Sequence, residues 1–290
     1  MRTVLKWAGL GVGALLVLAA VAVGVGAMVG GSNIDAVHDL AVEPLAVSSD
    51  SASLARGAHL AGIYGCRDCH GDDLSGQVMG EGGPFRLVAS NLTPAGVGGE
   101  YDAATWDRAI RHGVRADGRA VTVMPSGAYH KMSDAEAADL IAYLQSLEPA
   151  GDDIGRTEFS FMGKVLAAGP LDPSANVYAE PTTASSPPPG ATAEYGEYVA
   201  EMMCAYCHGA GVVGQQPPEP GAPFAPDLAA AGQWDPAQFH ETLTTGVLPD
   251  GRALDPEVMP WTATARMTRD EREGLRLYLA SLAERRGADV

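Results

Sequence analysis

The sequence predicts an all-α protein in which two tandem helical domains follow a single N-terminal transmembrane helix. Three observations predict it: an uncharged apolar run near the N-terminus, an internal repeat built around two cysteine clusters, and capped helical stretches with almost no strand signal between them. At 290 residues the chain is long enough for an anchor plus two domains of roughly 100 residues each, the size at which one core closes.

The anchor comes first. After Arg2 and Lys6, the stretch from Trp7 to Asn33 carries no charge and is dominated by Leu, Val, Ala and Gly, and it exceeds the roughly 20 residues needed to span hydrocarbon. The flanking basic residues lie at its N-terminal end and Asp35 follows the far end, so the positive-inside rule places the bulk of the chain on the outer, periplasmic side of a cytoplasmic membrane. A cleaved signal peptide is the competing reading, but the run is longer than an h-region of roughly 7 to 15 residues and no clean A-x-A site closes it. Gly9 and Gly13, like Gly26 and Gly30, have the small-xxx-small spacing that lets membrane helices approach closely. The net charge of −17 excludes a nucleic-acid footprint; the acidic surface either steers a basic protein partner or serves solubility.

The exported part repeats. Cys66-Arg67-Asp68-Cys69-His70 is matched by Cys204-Ala205-Tyr206-Cys207-His208, Gly83-Pro84-Phe85 by Ala222-Pro223-Phe224, Asp117-Gly118-Arg119 by Asp250-Gly251-Arg252, and Met124-Pro125 by Met259-Pro260. A helical pattern precedes each cluster, from about Ser53 to Tyr64 and from about Glu194 to Met203. Each unit closes with a helix announced by a capping box, Ser133-Asp134-Ala135-Glu136 and Thr268-Arg269-Asp270-Glu271. Behind the caps, Leu140, Tyr143, Leu144 and Leu147, and likewise Leu275, Tyr278, Leu279 and Leu282, form one apolar face per helix. Between the units, Ser185, Ser186, Pro187, Pro188, Pro189 and Gly190 favour extended, unpacked chain. The expected division is therefore 1–32 anchor, 33–52 tether, 53–150 first domain, 151–192 linker and 193–290 second domain. Within the linker, Phe159 to Leu171 is more apolar and is expected to lie against a domain, the membrane or another subunit.

In C-x-x-C-H the two thiols sit one helical turn apart, spaced to bond both vinyl groups of a haem, and the adjacent histidine reaches the iron. Cys66, Cys69, Cys204 and Cys207 thus predict two covalently bound haem c groups, with His70 and His208 as proximal ligands. A CxxC redox pair, a structural disulfide or a zinc site is the alternative at each cluster. Met124 and Met259, at similar distances beyond the two histidines, are the distal candidates. Met132 and Met267 recur too, but they immediately precede the capping residues, where an apolar side chain packs as a staple. His59, His112, His130 and His240 occupy no matching repeat positions, which leaves one bis-histidine haem as the other ligand set. Thioether ligation opposite histidine makes for comparatively high-potential carriers. Pro84 and Pro223 are candidates to offer a carbonyl to the second ring nitrogen of His70 and His208, or are ordinary turn prolines. Arg119 and Arg252 are candidates to pair with haem propionates, or are solvated turn residues.

These residues resemble class I cytochromes c, and more narrowly the diheme and triheme cytochrome subunits of membrane-bound bacterial dehydrogenases. The narrower likeness rests on Ser90-Asn91-Leu92-Thr93-Pro94, on Trp106 through Gly118, and on Met124-Pro125 followed by Tyr129, Met132-Ser133-Asp134 and Ala142-Tyr143-Leu144. The resemblance implies an all-α fold around each haem, His and Met axial ligands at the positions above, and electron delivery between a dehydrogenase or quinol and a later acceptor. The chain has two clusters rather than three, and its anchor is N-terminal. Its expected partners are redox proteins, free or within a membrane complex, with no nucleic acid, no small-molecule substrate and no catalysis of its own. The diheme subunit of a cbb3-type oxidase and a diheme peroxidase are the competing readings; a peroxidase needs one haem with an open distal position.

Overall fold

A computed structural model describes residues 2–180, 182, 185–217 and 221–288. It is mostly helical. Helix α1 (Arg2–Asp35) carries an apolar span over Lys6–Asp35, and Leu15, Leu16 and Met28 project outward from it. The chain beyond α1 does not hang free. Asp35 pairs with Arg119 at 3.2 Å, Val37 bridges to Arg119, and His38 N donates to Gly118 O at 2.8 Å. Leu45 and Val47 then pack against the core. The expected tether is thus docked along the first repeat.

That repeat begins with α2 (Ser51–Ile63), where the Asp50 carboxylate accepts from Ala52 N and Ser53 N and satisfies amides that have no partner inside the helix. The short α3 (Cys66–His70) is entered through Gly65 and left through Gly71, both at positive φ. Strands β1 (Gln77–Gly80) and β2 (Phe85–Ala89) pair antiparallel. Next comes α4 (Ala103–His112), capped by Asp102 and closed by left-handed Gly113. The Met124-Pro125 turn leads into α5 (Ser126–Tyr129), and α6 (Asp134–Gln145) starts at Ser133 as expected. Strand β3 (Glu158–Phe159) pairs with β2, and α7 (Phe161–Ala167) packs on α1.

The second repeat has α8 (Ala193–Met203), α9 (Ala205–His208), α10 (Pro236–Thr245), α11 (Trp261–Ala265) and α12 (Arg269–Ala288). In each repeat the helix ahead of the cysteine cluster crosses the closing helix, α2 on α6 and α8 on α12. Both crossings turn on glycine. A Cβ on Gly57 would stand 2.0 Å from Asp139 O, and one on Gly196 1.9 Å from Gly274 O. Leu140, Ile141 and Leu144 of α6 and Leu275, Tyr278 and Leu279 of α12 are buried against those crossings.

Two expectations need correction. A three-stranded sheet, β1-β2-β3, exists where strand signals were almost absent. The stretch after residue 150 is not unpacked chain up to Tyr178. It supplies β3 and α7, Asn91 Nδ2 donates to Ala150 O at 2.7 Å, and Tyr178 O bonds His112 Nδ1 at 2.7 Å. The apolar stretch from Phe159 onward therefore lies against α1 and β2.

The two repeats meet through equivalent positions. His59 Nε2 lies 2.8 Å from Glu271 Oε1, while Tyr198, its counterpart in α8, donates to Glu136 Oε2 at 2.5 Å. Lys131 pairs with Glu201 at 2.5 Å; Arg266, its counterpart, reaches Asp68 at 2.9 Å and Gly62 O at 3.3 Å. Each repeat thus presents the same patch to the other, the pattern of an isologous contact.

Candidate haem sites

One cleft of about 180 Å³ brings Cys66, Cys69, His70 and Met124 together on an otherwise largely apolar lining that includes Leu92, Ile110 and Leu144. The geometry behind His70 is built by the loop that follows it. Gly76 N donates to His70 O at 2.8 Å and Leu92 N to Leu74 O at 2.9 Å, with Leu74 itself in the left-handed region at φ 62°. The second repeat copies each feature: Gly214 N to His208 O at 2.8 Å, Leu228 N to Val212 O at 3.0 Å, and Val212 at φ 51°. A buried β-branched residue at positive φ is strained, so the tertiary packing of this loop must hold it in place.

The turn delivers a carbonyl to each imidazole. His70 Nδ1 lies 2.7 Å from Ser90 O, and His208 Nδ1 lies 2.7 Å from Pro226 O. The expected carbonyls of Pro84 and Pro223 do not take this role. Pro84 O accepts from Ser160 N at 2.9 Å, in line with the β2–β3 pairing. The Gln77–Ala89 and Gln215–Ala225 pairs bring the next residue along to the histidine. With Nδ1 engaged as a donor, Nε2 is the nitrogen left for a metal. Burial pushes both imidazoles below their ordinary value, against the carbonyl bonds that pull upward, which keeps them neutral, the form that ligates.

Gln77 and Gln215 escaped the sequence reading. Gln77 Nε2 donates to Asp68 O and Gln215 Nε2 to Tyr206 O, both at 2.9 Å. Each glutamine pins the short cysteine-bearing helix. The signal was a Gly-Gln pair at the same offset from both histidines.

Burial pushes the Cys66 and Cys204 thiols up to about 12, and Cys69 upward too. Thiols held neutral are neither ready redox nucleophiles nor ready metal thiolates, and among the described residues no group of three or more His, Cys, Asp or Glu is placed to hold a metal ion. Both properties run against the redox-pair and zinc alternatives.

Met124 borders the cleft, and its carbonyl accepts from Asn176 Nδ2 at 2.6 Å. Met132 also touches the cleft but is fully buried in the core, directly ahead of the Ser133 cap. Met267 is buried in the same position. Met259 is half-buried on the matching Met-Pro turn. His59, His112 and His130 do not line the cleft; their ring nitrogens face Glu271, Tyr178 O and Arg111 O. His240 faces Glu273 at 3.2 Å.

Of the two readings of the arginines, the structure favours turn residues over propionate partners. Arg119 reaches Asp35 and Asp117, and Arg252 lies exposed beside Asp250; Arg119 does not line the cleft. Arg115 and Arg156 do. Trp106 Nε1 and Arg115 Nε are buried at the cleft without hydrogen-bond partners; Arg115 Nε stands 3.3 Å from Asp117 Oδ1, out of alignment for a bond. Unspent donors on an apolar lining suit a flat apolar group with carboxylate ends, so the residues present fit a haem. At the corresponding places in the second repeat stand Phe239 for Trp106 and Leu248 for Arg115.

Residues 52–144 and 191–279 match the family described as cytochrome C oxidase, cbb3-type, subunit III. The chain is 30% identical over 136 residues to the fructose dehydrogenase cytochrome subunit of Gluconobacter japonicus, a match covering 43% of this chain and 28% of that one. It is 33% identical over 141 residues to a subunit of the nicotinate dehydrogenase of Pseudomonas putida, covering 44% of this chain and 12% of that one. To the alcohol dehydrogenase (quinone) cytochrome c subunit of Gluconacetobacter polyoxogenes it is 33% identical over 104 residues, covering 33% and 22%. The matches thus span little more than a quarter of each relative's length at most.

Proposed function

The chain belongs to the cytochrome c family whose two matched segments contain its two clusters, and from that premise we propose that it is a membrane-anchored diheme electron carrier. It passes single electrons between a dehydrogenase or quinol donor and a later acceptor. Covalently bound haem c supplies reversible one-electron chemistry. The observation that carries the reading is the duplicated histidine setting, in which each CxxCH imidazole is bonded through Nδ1 to a backbone carbonyl.

In this reading Cys66 and Cys69 hold one haem and Cys204 and Cys207 the other, with His70 and Met124, and His208 and Met259, as the axial pairs. The domains are 53–150 and 193–290, with the first extended by the packed stretch to Tyr178. Both stand on the outer side of the membrane that α1 crosses. Trp106, Arg115 and Arg156 receive the carboxylate end of the first haem, a role Arg119 is less well placed to fill.

The relatives named as dehydrogenase cytochrome subunits support a dehydrogenase as donor. The description of the family supports a second reading, a subunit of an oxidase complex. Purification from membranes in mild detergent separates them by which assembly comes with the chain. Spectra of the purified protein test the carrier itself. Two haems per chain are expected, with a weak near-infrared Met-to-iron band that Met124→Ala and Met259→Ala each reduce. If the band is absent or indifferent to both substitutions, the methionine ligands are wrong; turnover of hydrogen peroxide would sink the pure-carrier reading.

A further inference from the structure

Helix α7 is wedged between α1 and the first repeat. Gly30 is its seat: a Cβ there would stand 1.7 Å from Lys164 O, and one on Gly26 would touch Val165 Cγ1 at 3.7 Å. Asn33 Nδ2 donates to Ala167 O at 3.0 Å. On its other side Gly163 lies against Pro84 O, and Phe159 stacks edge-on against Phe85 at 6.2 Å. The small-xxx-small pair Gly26 and Gly30 is thus used within the chain. The third side of α7 is open and apolar, with Phe161 59% and Met162 53% exposed. Val25, Met28 and Val29 of α1 are exposed as well.

Length decides what covers it. The apolar part of α1 runs 30 residues, about 45 Å at 1.5 Å per residue, whereas the hydrocarbon core takes roughly 20 residues. A span that begins at Trp7 leaves hydrocarbon near Gly26, so the turns through Asn33 lie in the interfacial layer. That is the stretch α7 packs on. Gly30 meets both Lys164 O and Ala168 N, so α7 crosses α1 there, with Val165 on the Gly26 side and Ala167 on the Asn33 side. Phe161 and Met162, four and three residues before Val165, share its face of the helix and so turn toward the membrane-embedded part of α1. Lys164, exposed and passing Gly31, is placed for headgroup phosphates while its stem stays apolar.

We infer that α7 is a membrane-surface element: Phe161 and Met162 insert at the headgroup–acyl boundary of the bilayer and pin the first repeat to it. The inference rests on α1 being a retained anchor. It predicts that the first haem site keeps a fixed height above the membrane.

The test uses the full-length holoprotein in nanodiscs of phosphatidylcholine and phosphatidylglycerol, spin-labelled at one added cysteine, with the chain lacking that cysteine as background. Labels at Met162→Cys, Leu16→Cys and Glu241→Cys are compared for collision with oxygen, which partitions into lipid, and with a water-soluble nickel chelate. The expected result is oxygen-dominated collision at 16 and 162 and nickel-dominated collision at 241. Nickel-dominated collision at 162 with a lipid-like label at 16 overturns the role of α7 and leaves the anchor standing. A water-like label at 16 overturns the anchor, and the inference with it.

Discussion

Asn176 holds the Met124 carbonyl from a stretch that the sequence presents as linker. The bond fixes the turn that carries the proposed distal ligand, so Asn176→Ala should weaken the near-infrared Met-to-iron band of one haem while leaving the other, at a stability cost of about 1 kcal/mol. Unchanged spectra would reduce Asn176 to a structural role. Arg115 and Leu248 occupy the same repeat position, and a cation beside a haem favours the reduced, less positive state. Arg115→Leu should therefore lower one of the two reduction potentials in a redox titration and leave the second in place. At this scale the cysteines and their adjacent histidines are legible because C-x-x-C-H is a local motif, whereas the proposed methionine ligands rest on the repeated Met-Pro pair. The arginines are not legible: Arg115 and Arg119 flank one turn, and the Asp35 pairing that draws Arg119 away comes from a segment remote in sequence. Nor does the sequence show that Ser90 and Pro226, rather than Pro84 and Pro223, face the histidines, since that depends on a strand pairing and on Leu74 and Val212 at positive φ.

The helix crossings set the next level. With Asp139 O 2.0 Å from a Cβ on Gly57, Gly57→Ala must force α2 off α6, and a loss at or above the upper end of the roughly 1–3 kcal/mol of an overpacked core is expected in thermal unfolding. The two capping boxes differ in a way that can be measured. At Thr268 the box closes both ways: Glu271 N donates to Oγ1 at 3.2 Å, and Thr268 N to the Glu271 carboxylate at 2.6 Å. At Ser133 only the first half forms. Ser133 N donates instead to Tyr198 Oη at 3.0 Å, and the Glu136 carboxylate takes the hydroxyls of Tyr64 and Tyr198. Ser133→Ala and Thr268→Ala should each cost about 1 kcal/mol, and Glu271→Ala should cost more, because it removes the carboxylate that both the Thr268 amide and His59 bond. Helix starts are readable because caps are local chemistry. The sheet is not, because β1 is exposed throughout, β3 is two residues long, and their pairing with β2 is made by distant chain.

Across the molecule, the face between the repeats couples stability to pH. The bond to Glu271 raises His59 above its ordinary value, so its contribution is fully present below that value and is lost as pH rises through the raised one. Burial alone would push Glu271 up, but the bonds from His59 and the Thr268 amide outweigh it and hold the carboxylate low, so its share is lost as pH falls through that depressed value. Nearby Glu136 is pushed up by burial against its two tyrosine bonds, and its ionisation costs stability as pH climbs. His59→Ala should cost about 1 kcal/mol in urea unfolding between those limits and progressively less on either side; a cost that does not vary with pH would mean the pair is never charged. The matched contacts, His59 with Glu271 and Tyr198 with Glu136, have a further meaning. A patch that meets its own copy is the geometry of a two-fold homodimer, here held within one chain. The single chain replaces a concentration-dependent encounter with a permanent one. It also lets the two halves differ: Arg115 is matched by Leu248 and Trp106 by Phe239, so the two proposed haem sites need not be alike, as those of a homodimer must be.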